Sequence, residues 1–267
     1  QTCALPIYGD LDVISASNID NKIAWYENDG TSDPIFIART ITTSADGAWS
    51  VYAADVDNDG DMDVLSASSD DDKIVWYEND GAAGPSFTAN TITTSANRAF
   101  SVYAADIDND GDMDVLSASA NDDKIAWYEN DGAADPSFTS RTISATADFA
   151  RSVYSADIDN DGDMDVLSAS YFDGKIAWYE NDGAADPSFT AQSITTSATY
   201  AESVYAADID NDGDMDVLSA SSGDATIAWY ENDGATDPSF TARTVNTNFS
   251  VSGPKSVYAA DIDSDGD

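Results

Sequence analysis

The chain has 267 residues, and its 51 acidic side chains against 10 Lys and Arg give a formal net charge of −41. So few cations make no basic patch, which argues against nucleic acid and against an anionic membrane surface as partners. With no His and a single Cys, Cys3, the chain has no Ser-His-Asp or Cys-His catalysis, no His-bound zinc and no internal disulfide.

No apolar run is long enough for membrane insertion by a helix. Residues 1–7, Gln-Thr-Cys-Ala-Leu-Pro-Ile, match nothing that follows and resemble a translated sequencing adapter. They are expected to be a foreign leader, and residues 8–267 a single repeat domain cut from a larger polypeptide.

From residue 8 onward the chain is periodic. Trp25, Trp76, Trp127, Trp178 and Trp229 are each 51 residues apart, as are Pro34, Pro85, Pro136, Pro187 and Pro238. Only the last repeat is longer, by two residues near 248–254. Each repeat offers four β-like runs and no helical one. In the third copy these are Ser101–Ala105, Asp114–Ser119, Lys124–Glu129 and Ser137–Ile143, rich in β-branched and aromatic residues and bounded by Asn-Asp-Gly and Asp-Pro. In Lys124-Ile-Ala-Trp-Tyr-Glu129 apolar residues fall on both faces of the pleat, as suits a sheet packed between sheets.

Four short antiparallel strands per repeat predict an all-β fold, a β-propeller of about 51-residue blades, with about five blades encoded. First strands are expected to start near 51, 102, 153, 204 and 257. The strand at 256–261 lacks partners of its own; those partners lie at residues 12–41, and either the ring closes by pairing the two ends or it is cut there. Antiparallel order places the loops after the first and third strands at one end of each sheet. It places the loops after the second and fourth at the other end.

The loop after the first strand is acidic and nearly invariant. It reads Asp55-Val-Asp57-Asn-Asp59-Gly-Asp61-Met-Asp63 and returns as Asp106, Asp108, Asp110, Asp112 and Asp114. It returns again as Asp157, Asp159, Asp161, Asp163 and Asp165, then as Asp208, Asp210, Asp212, Asp214 and Asp216. A partial copy, Asp261, Asp263 and Asp265, ends the chain, and Gly9, Asp10 and Asp12 supply the tail of another.

Carboxylates at positions 1, 3, 5 and 9, with the carbonyl of position 7 and a glycine at 6, are oxygen ligands for a hard cation, Ca²⁺ in preference to Mg²⁺. Position 12 is Ser, so this is not an EF-hand. One Ca²⁺ is expected in each of four complete loops, with a fifth site split between the chain ends. Met62, Met113, Met164 and Met215 at position 8 are expected to pack beneath the loops.

The other end of each sheet varies. Before the first strands stand Trp49, Phe100, Phe149, Tyr200 and Phe249; one second-to-third-strand loop carries Tyr171-Phe172; and Arg98, Arg151 and Lys255 fall here too. These residues either plug the gaps between blades or form a ligand face.

The acidic loop followed directly by a strand, the four-strand unit and the Trp-bearing third strand resemble FG-GAP/VCBS-type repeats, the calcium-loop propellers also found in integrin α subunits. The Phe-Gly and Gly-Ala-Pro words of that family are absent, so the resemblance is to its looser bacterial branch. It implies a secreted or cell-surface module for adhesion, with a glycan or surface protein as partner. The expectation is a non-catalytic binding module. The alternatives are a calcium-dependent polysaccharide lyase or hydrolase, for which Arg151, Tyr171, Asp173 and Glu202 are the repeat-breaking candidates, or a structural spacer.

Overall fold

The structure, a computed structural model, describes residues 4–7, 10–246 and 253–263. Among the described residues twenty strands form five four-stranded sheets with neighbours in chain order, and every described ladder is antiparallel. The first sheet holds β1 (Ala4–Ile7), β2 (Asp10–Ser17), β3 (Lys22–Asn28) and β4 (Phe36–Thr42). The second holds β5 (Ala48–Ala54), β6 (Asp63–Ser68), β7 (Lys73–Asn79) and β8 (Phe87–Thr93).

The third holds β9 (Ala99–Ala105), β10 (Asp114–Ser119), β11 (Lys124–Asn130) and β12 (Phe138–Ser144). The fourth holds β13 (Ala150–Ala156), β14 (Asp165–Ser170), β15 (Lys175–Asn181) and β16 (Phe189–Thr195). The fifth holds β17 (Ala201–Ala207), β18 (Asp216–Ser221), β19 (Thr226–Asn232) and β20 (Phe240–Asn246).

The chain forms two compact units, one of Gln1–Asp106, Gly111–Asp122 and Ala126–Thr142, the other of Ile107–Asp110, Asp123–Ile125 and Ile143–Asp267. In the first, Leu65 and Trp76 of the second sheet pack on Val102, Val115 and Tyr128 of the third. In the second, Leu167 and Trp178 pack on Val204, Val217 and Tyr230 in the same way. Strands β6, β10, β14 and β18 are buried along their whole length, and β6 shows why: Ile14 and Trp25 of the first sheet cover one face at Val64, and Val102 of the third covers the other at Leu65 and Ala67. That leaves little room for side-chain choice, which is why all four read Asp-Val-Leu-Ser-Ala-Ser.

Two terminal expectations change. Ala4–Ile7 pairs with β2 from Ala4↔Val13 to Ile7↔Asp10, filling the slot of a first strand although its sequence lies outside the repeat. Ladder hydrogen bonds are made by backbone, and Pro6 is tolerated on an edge strand. The sheet of residues 12–41 is therefore completed by β1. Of the two alternatives for 256–261, pairing with residues 12–41 is not formed among the described residues, since 253–263 carry no strand. Val257 N–H instead donates to Ser203 Oγ at 3.5 Å, and the Tyr258 ring lies 4.8 Å from Tyr205.

Candidate functional site

The acidic loop leaves the first strand at position 1 and re-enters the sheet at position 9. Asn at position 4 takes left-handed backbone, with φ 58° at both Asn58 and Asn160, and Gly at position 6 does likewise, at 95° for Gly60. The two reversals fold the loop back on itself. Carboxylate oxygens of positions 1, 3 and 9 then lie within 4.8 Å of one another: Asp55, Asp57 and Asp63; Asp106, Asp108 and Asp114; Asp157, Asp159 and Asp165; Asp208, Asp210 and Asp216.

The group is short of positive charge. Asp63 is fully buried, with Oδ1 accepting from Asn79 N–H at 2.8 Å and Oδ2 from Val56 N–H at 3.1 Å. Burial still pushes its carboxyl up to about 7, and that of Asp165 to about 7 likewise. Burial, then repulsion by Asp161, raises Asp159 to about 6. Asp55 Oδ2 accepts from Gly60 N–H, while its Oδ1 is buried with no hydrogen-bond donor. A buried, undonated carboxylate oxygen beside two more carboxylates fits a hard cation, and the all-oxygen donor set suits Ca²⁺.

Positions 5 and 7, Asp59, Asp110, Asp161 and Asp212 among them, are not in the groups whose carboxylate oxygens all converge. Asp59 Oδ1 accepts from Asp61 N–H at 2.9 Å and Asp161 Oδ1 from Asp163 N–H at 3.0 Å, so position 5 braces its own turn. The carboxylates of Asp61, Asp112, Asp163 and Asp214 turn toward the glycine of the third-to-fourth-strand turn, where a Cβ on Gly132 would stand 2.1 Å from Asp112 Oδ2. That leaves position 7 only its carbonyl for a cation. Met113 and Met215 are partly exposed instead of packed beneath the loops. Among the described residues no fifth group forms at Asp261 and Asp263, and Asp265 lies outside them.

Sequence reasoning missed the function of position 4. Asn58 Nδ2 donates to Asp112 Oδ1, Asn109 to Asp163 and Asn160 to Asp214, each at 2.6 Å. Each amide reaches position 7 of the next loop. The Asn that ends each third strand adds a second tie, since Asn130 Nδ2 donates to Val56 O and Asn232 Nδ2 to Ile158 O, both at 2.8 Å. The one signal available in the sequence was that position 4 is Asn in all four complete loops.

At the opposite end the variable residues separate into two registers. Gly47, Arg98, Phe149 and Tyr200 occupy one, each with left-handed φ of 54–68°, as does Gly253. Both sides of that backbone are held: Phe149 N–H donates to Asp123 Oδ1 at 3.0 Å, and Phe149 O accepts from Tyr171 N–H at 3.1 Å. Trp49, Phe100, Arg151 and Glu202 occupy the other. Each is skipped in its ladder, as where Ala48 pairs with Ser68 and Ser50 with Ala67, so each is the extra residue of a β-bulge. A bulge re-aims its side chain out of the ladder.

The expected ligand-face residues fare differently. Phe100 is buried at 3% exposure, edge-on to Trp49 at 4.7 Å, and so serves packing, with the Arg98 guanidinium over its ring. Trp49, Phe172 and Tyr200 are exposed. Phe149, Tyr171, Phe172 and Tyr200 come together in the second unit. Phe149 lies 4.6 Å from Phe172, and Tyr171 stacks on Tyr200 at 4.6 Å and 13°. The Arg151 guanidinium lies over the Phe149 and Tyr171 rings at 5.0 and 4.9 Å. Phe249 lies outside the described residues.

Five stretches, 9–66, 55–117, 114–168, 157–219 and 208–267, match the family model described as FG-GAP-like repeat. None of the curated proteins matches this chain. Among solved structures the chain is similar to the Vibrio cholerae biofilm matrix protein Bap1, with TM-score 0.51 and 18% identity over 91% of this chain and 40% of that one. It is similar also to a protein from Lactobacillus plantarum, at TM-score 0.57 and 17% identity over 88% of this chain and 68% of that one. A third is the periplasmic gluconolactonase PpgL of Pseudomonas aeruginosa, at TM-score 0.57 and 13% identity over 89% and 70%. The chain thus spans well under half the length of the matrix protein. At these identities the likeness concerns the fold, a β-propeller.

Proposed function

Since the chain belongs to the FG-GAP-like repeat family, we propose that it is a calcium-stabilised, non-catalytic module of a secreted or surface protein. It binds a glycan or a surface protein through the end of the sheets that carries the bulges. One contrast carries this reading. The residues at loop positions 1, 3 and 9 are Asp in every complete repeat, while the bulge residue is Trp, Phe, Arg and Glu in four successive sheets. Identical sites suit a scaffold, and a slot that changes at each step suits recognition.

Bound Ca²⁺ supplies the positive charge that the three converging carboxylates lack, and so couples loop order to folding. The neighbours are consistent with a life outside the cytoplasm, one being a biofilm matrix protein and another a periplasmic enzyme. Ca²⁺ at the millimolar level typical of such media is what loops of this kind need. Catalysis is not favoured: Arg151 and Glu202, two of the repeat-breaking candidates, engage each other at 3.8 Å, and Glu202 also accepts from Ser222 and Lys255.

The test is binding of the protein in Ca²⁺ to a glycan array and to bacterial surfaces, with Trp49→Ala, Phe149→Ala and Tyr171→Ala alongside. Loss of binding in at least one substituted protein, with melting unchanged, is the expected result. Full retention in all three assigns the ligand to another surface.

A further inference from the structure

Three departures from the repeat meet at one place in the second unit. The first is the left-handed residue before the first strand. Glycine holds it without strain at Gly47 and Gly253, yet Phe149 and Tyr200 carry rings there at φ 59° and 54°. Left-handed backbone costs a bulky L-residue about 1–2 kcal/mol, and strain of this sort is retained where a side chain has a task. The second is Tyr171-Phe172 in a loop that elsewhere reads Ser-Asp, Ala-Asn or Ser-Gly. The third is the bulge pair Arg151 and Glu202, which stand where the first unit has Trp49 and Phe100.

The result is a small surface with exposed ring area and mixed charge. Phe172 is 59% and Tyr200 44% exposed, beside the Tyr171–Tyr200 stack. Around the rings, Arg151 and Lys255 converge on the carboxylate of Glu202, and the exposed Asp148 and Asp173 add two acceptors. Two cations thus meet three carboxylates, so the patch has donors and acceptors in quantity but no strong field. Exposed ring edges and faces bind the C–H faces of a sugar, and the cationic donors and carboxylate acceptors answer its hydroxyls. A polyanion is disfavoured by the patch and by the −41 of the chain.

We infer that Phe149, Tyr171, Phe172 and Tyr200, with Arg151 and Asp173, form a binding site for a neutral saccharide chain. The inference rests on the binding-module reading above and narrows it to one ligand class and one place.

Titration calorimetry of the Ca²⁺-loaded protein with neutral oligosaccharides (cello-, manno- and xylo-), oligogalacturonate and a basic protein separates the outcomes. Expected is binding of a neutral oligosaccharide whose affinity changes little between 0.05 and 0.5 M NaCl, since no net charge is neutralised. Phe172→Ala and Tyr200→Gly each weaken it roughly tenfold or more, which is about 1.4 kcal/mol. Tyr200→Gly installs the residue of the equivalent unstrained positions, so its melting temperature is expected to hold or rise while binding falls.

Neutral saccharide bound with full affinity by both substituted proteins overturns the site and leaves glycan binding standing. Salt-sensitive binding of only the oligogalacturonate or the basic protein overturns the ligand class and leaves a binding module standing. Binding of nothing in the panel overturns this inference, while the array and cell-surface test decides the broader reading separately.

Discussion

The side-chain amide of Asn58 donates to the carboxylate of Asp112, 54 residues on, at 2.6 Å. Asn58 follows Asp57 of the converging carboxylate group, and Asp112 sits two residues before the buried Asp114. Consecutive loops are therefore tied to each other through their acidic segments.

Removing that tie is expected to lower stability. Asn160→Ala loses the hydrogen bond to Asp214 and puts Ala at φ 58°, whereas Asn160→Gly loses only the bond. A hydrogen bond to a charged group contributes about 1.5–3 kcal/mol when buried, and about 1 kcal/mol at this exposed site. Urea midpoints in Ca²⁺ should fall in both proteins, and further for Ala. Equal midpoints for the parent and Asn160→Gly would show that the tie has no weight.

Asp57→Asn is expected to change sign with the cation. Without Ca²⁺ it relieves repulsion in a crowded carboxylate group whose Asp57 is already raised by burial, so melting in chelator holds or rises. With Ca²⁺ it weakens one loop, and with free Ca²⁺ at a hundredfold over the dissociation constant that loop's contribution of about 2.7 kcal/mol is at stake. Calorimetric titration should also lose one equivalent of Ca²⁺. A protein equally stable in chelator and in Ca²⁺ contradicts structural calcium altogether.

Acid should stabilise the chelated protein and destabilise the loaded one. Burial pushes the carboxyls of Asp63 and Asp165 up to about 7 in the folded protein, well above the ordinary carboxylate range. Between that range and about 7 the folded state binds more protons than the unfolded, so stability rises as pH falls from 8 toward 5 and is lost as pH climbs through 7. The exposed turn residue Asp131 has the opposite sign. Donation from Ser137 Oγ–H, Ser137 N–H and Ala133 N–H holds its carboxyl low, and its contribution is lost only as pH falls below the ordinary carboxylate range. With Ca²⁺ bound, protons compete for the same oxygens and melting should fall over pH 8 to 5. Parallel melting curves in chelator and Ca²⁺ would refute the assignment of Asp63 and Asp165 to the cation.

Gly132→Ala is expected to be costly for two reasons. The residue has φ 65°, and its new Cβ would stand 2.1 Å from Asp112 Oδ2, displacing the carboxylate that Asn58 holds. Backbone strain alone is about 1–2 kcal/mol. Gly60→Ala has a similar φ of 95° with nothing within 4 Å, so the difference in stability between the two substitutions isolates the displaced tie.

Much of this was legible in the sequence because the repeat states each rule several times over. Strand starts expected at 51, 102, 153 and 204 lie inside strands that begin at Ala48, Ala99, Ala150 and Ala201. That carboxylates 1, 3 and 9 converge could be read from the alternation of Asp around Gly. Asn58–Asp112 was not legible: its partners are 54 residues apart, and Asn in a turn already has a local reason in its left-handed backbone. Trp49 and Phe149 seemed one position, since both precede a first strand. They are two, because a bulge inserts a residue that no glycine marks, and only the ladder shows which one it is.

That unmarked residue has an evolutionary consequence. The register of each ladder shifts at Trp49, Arg151 and Glu202, so the residue pairs on either side are set without them. Each copy of the repeat thus carries one letter whose exchange leaves the ladder register intact, with Arg151 and Glu202 in contact and so best changed as a pair, while duplication of the unit supplies fresh letters at constant spacing. Randomising 49, 151 and 202 together is the natural library for giving this scaffold a new specificity, and natural diversification needs nothing more than point mutation at the same places.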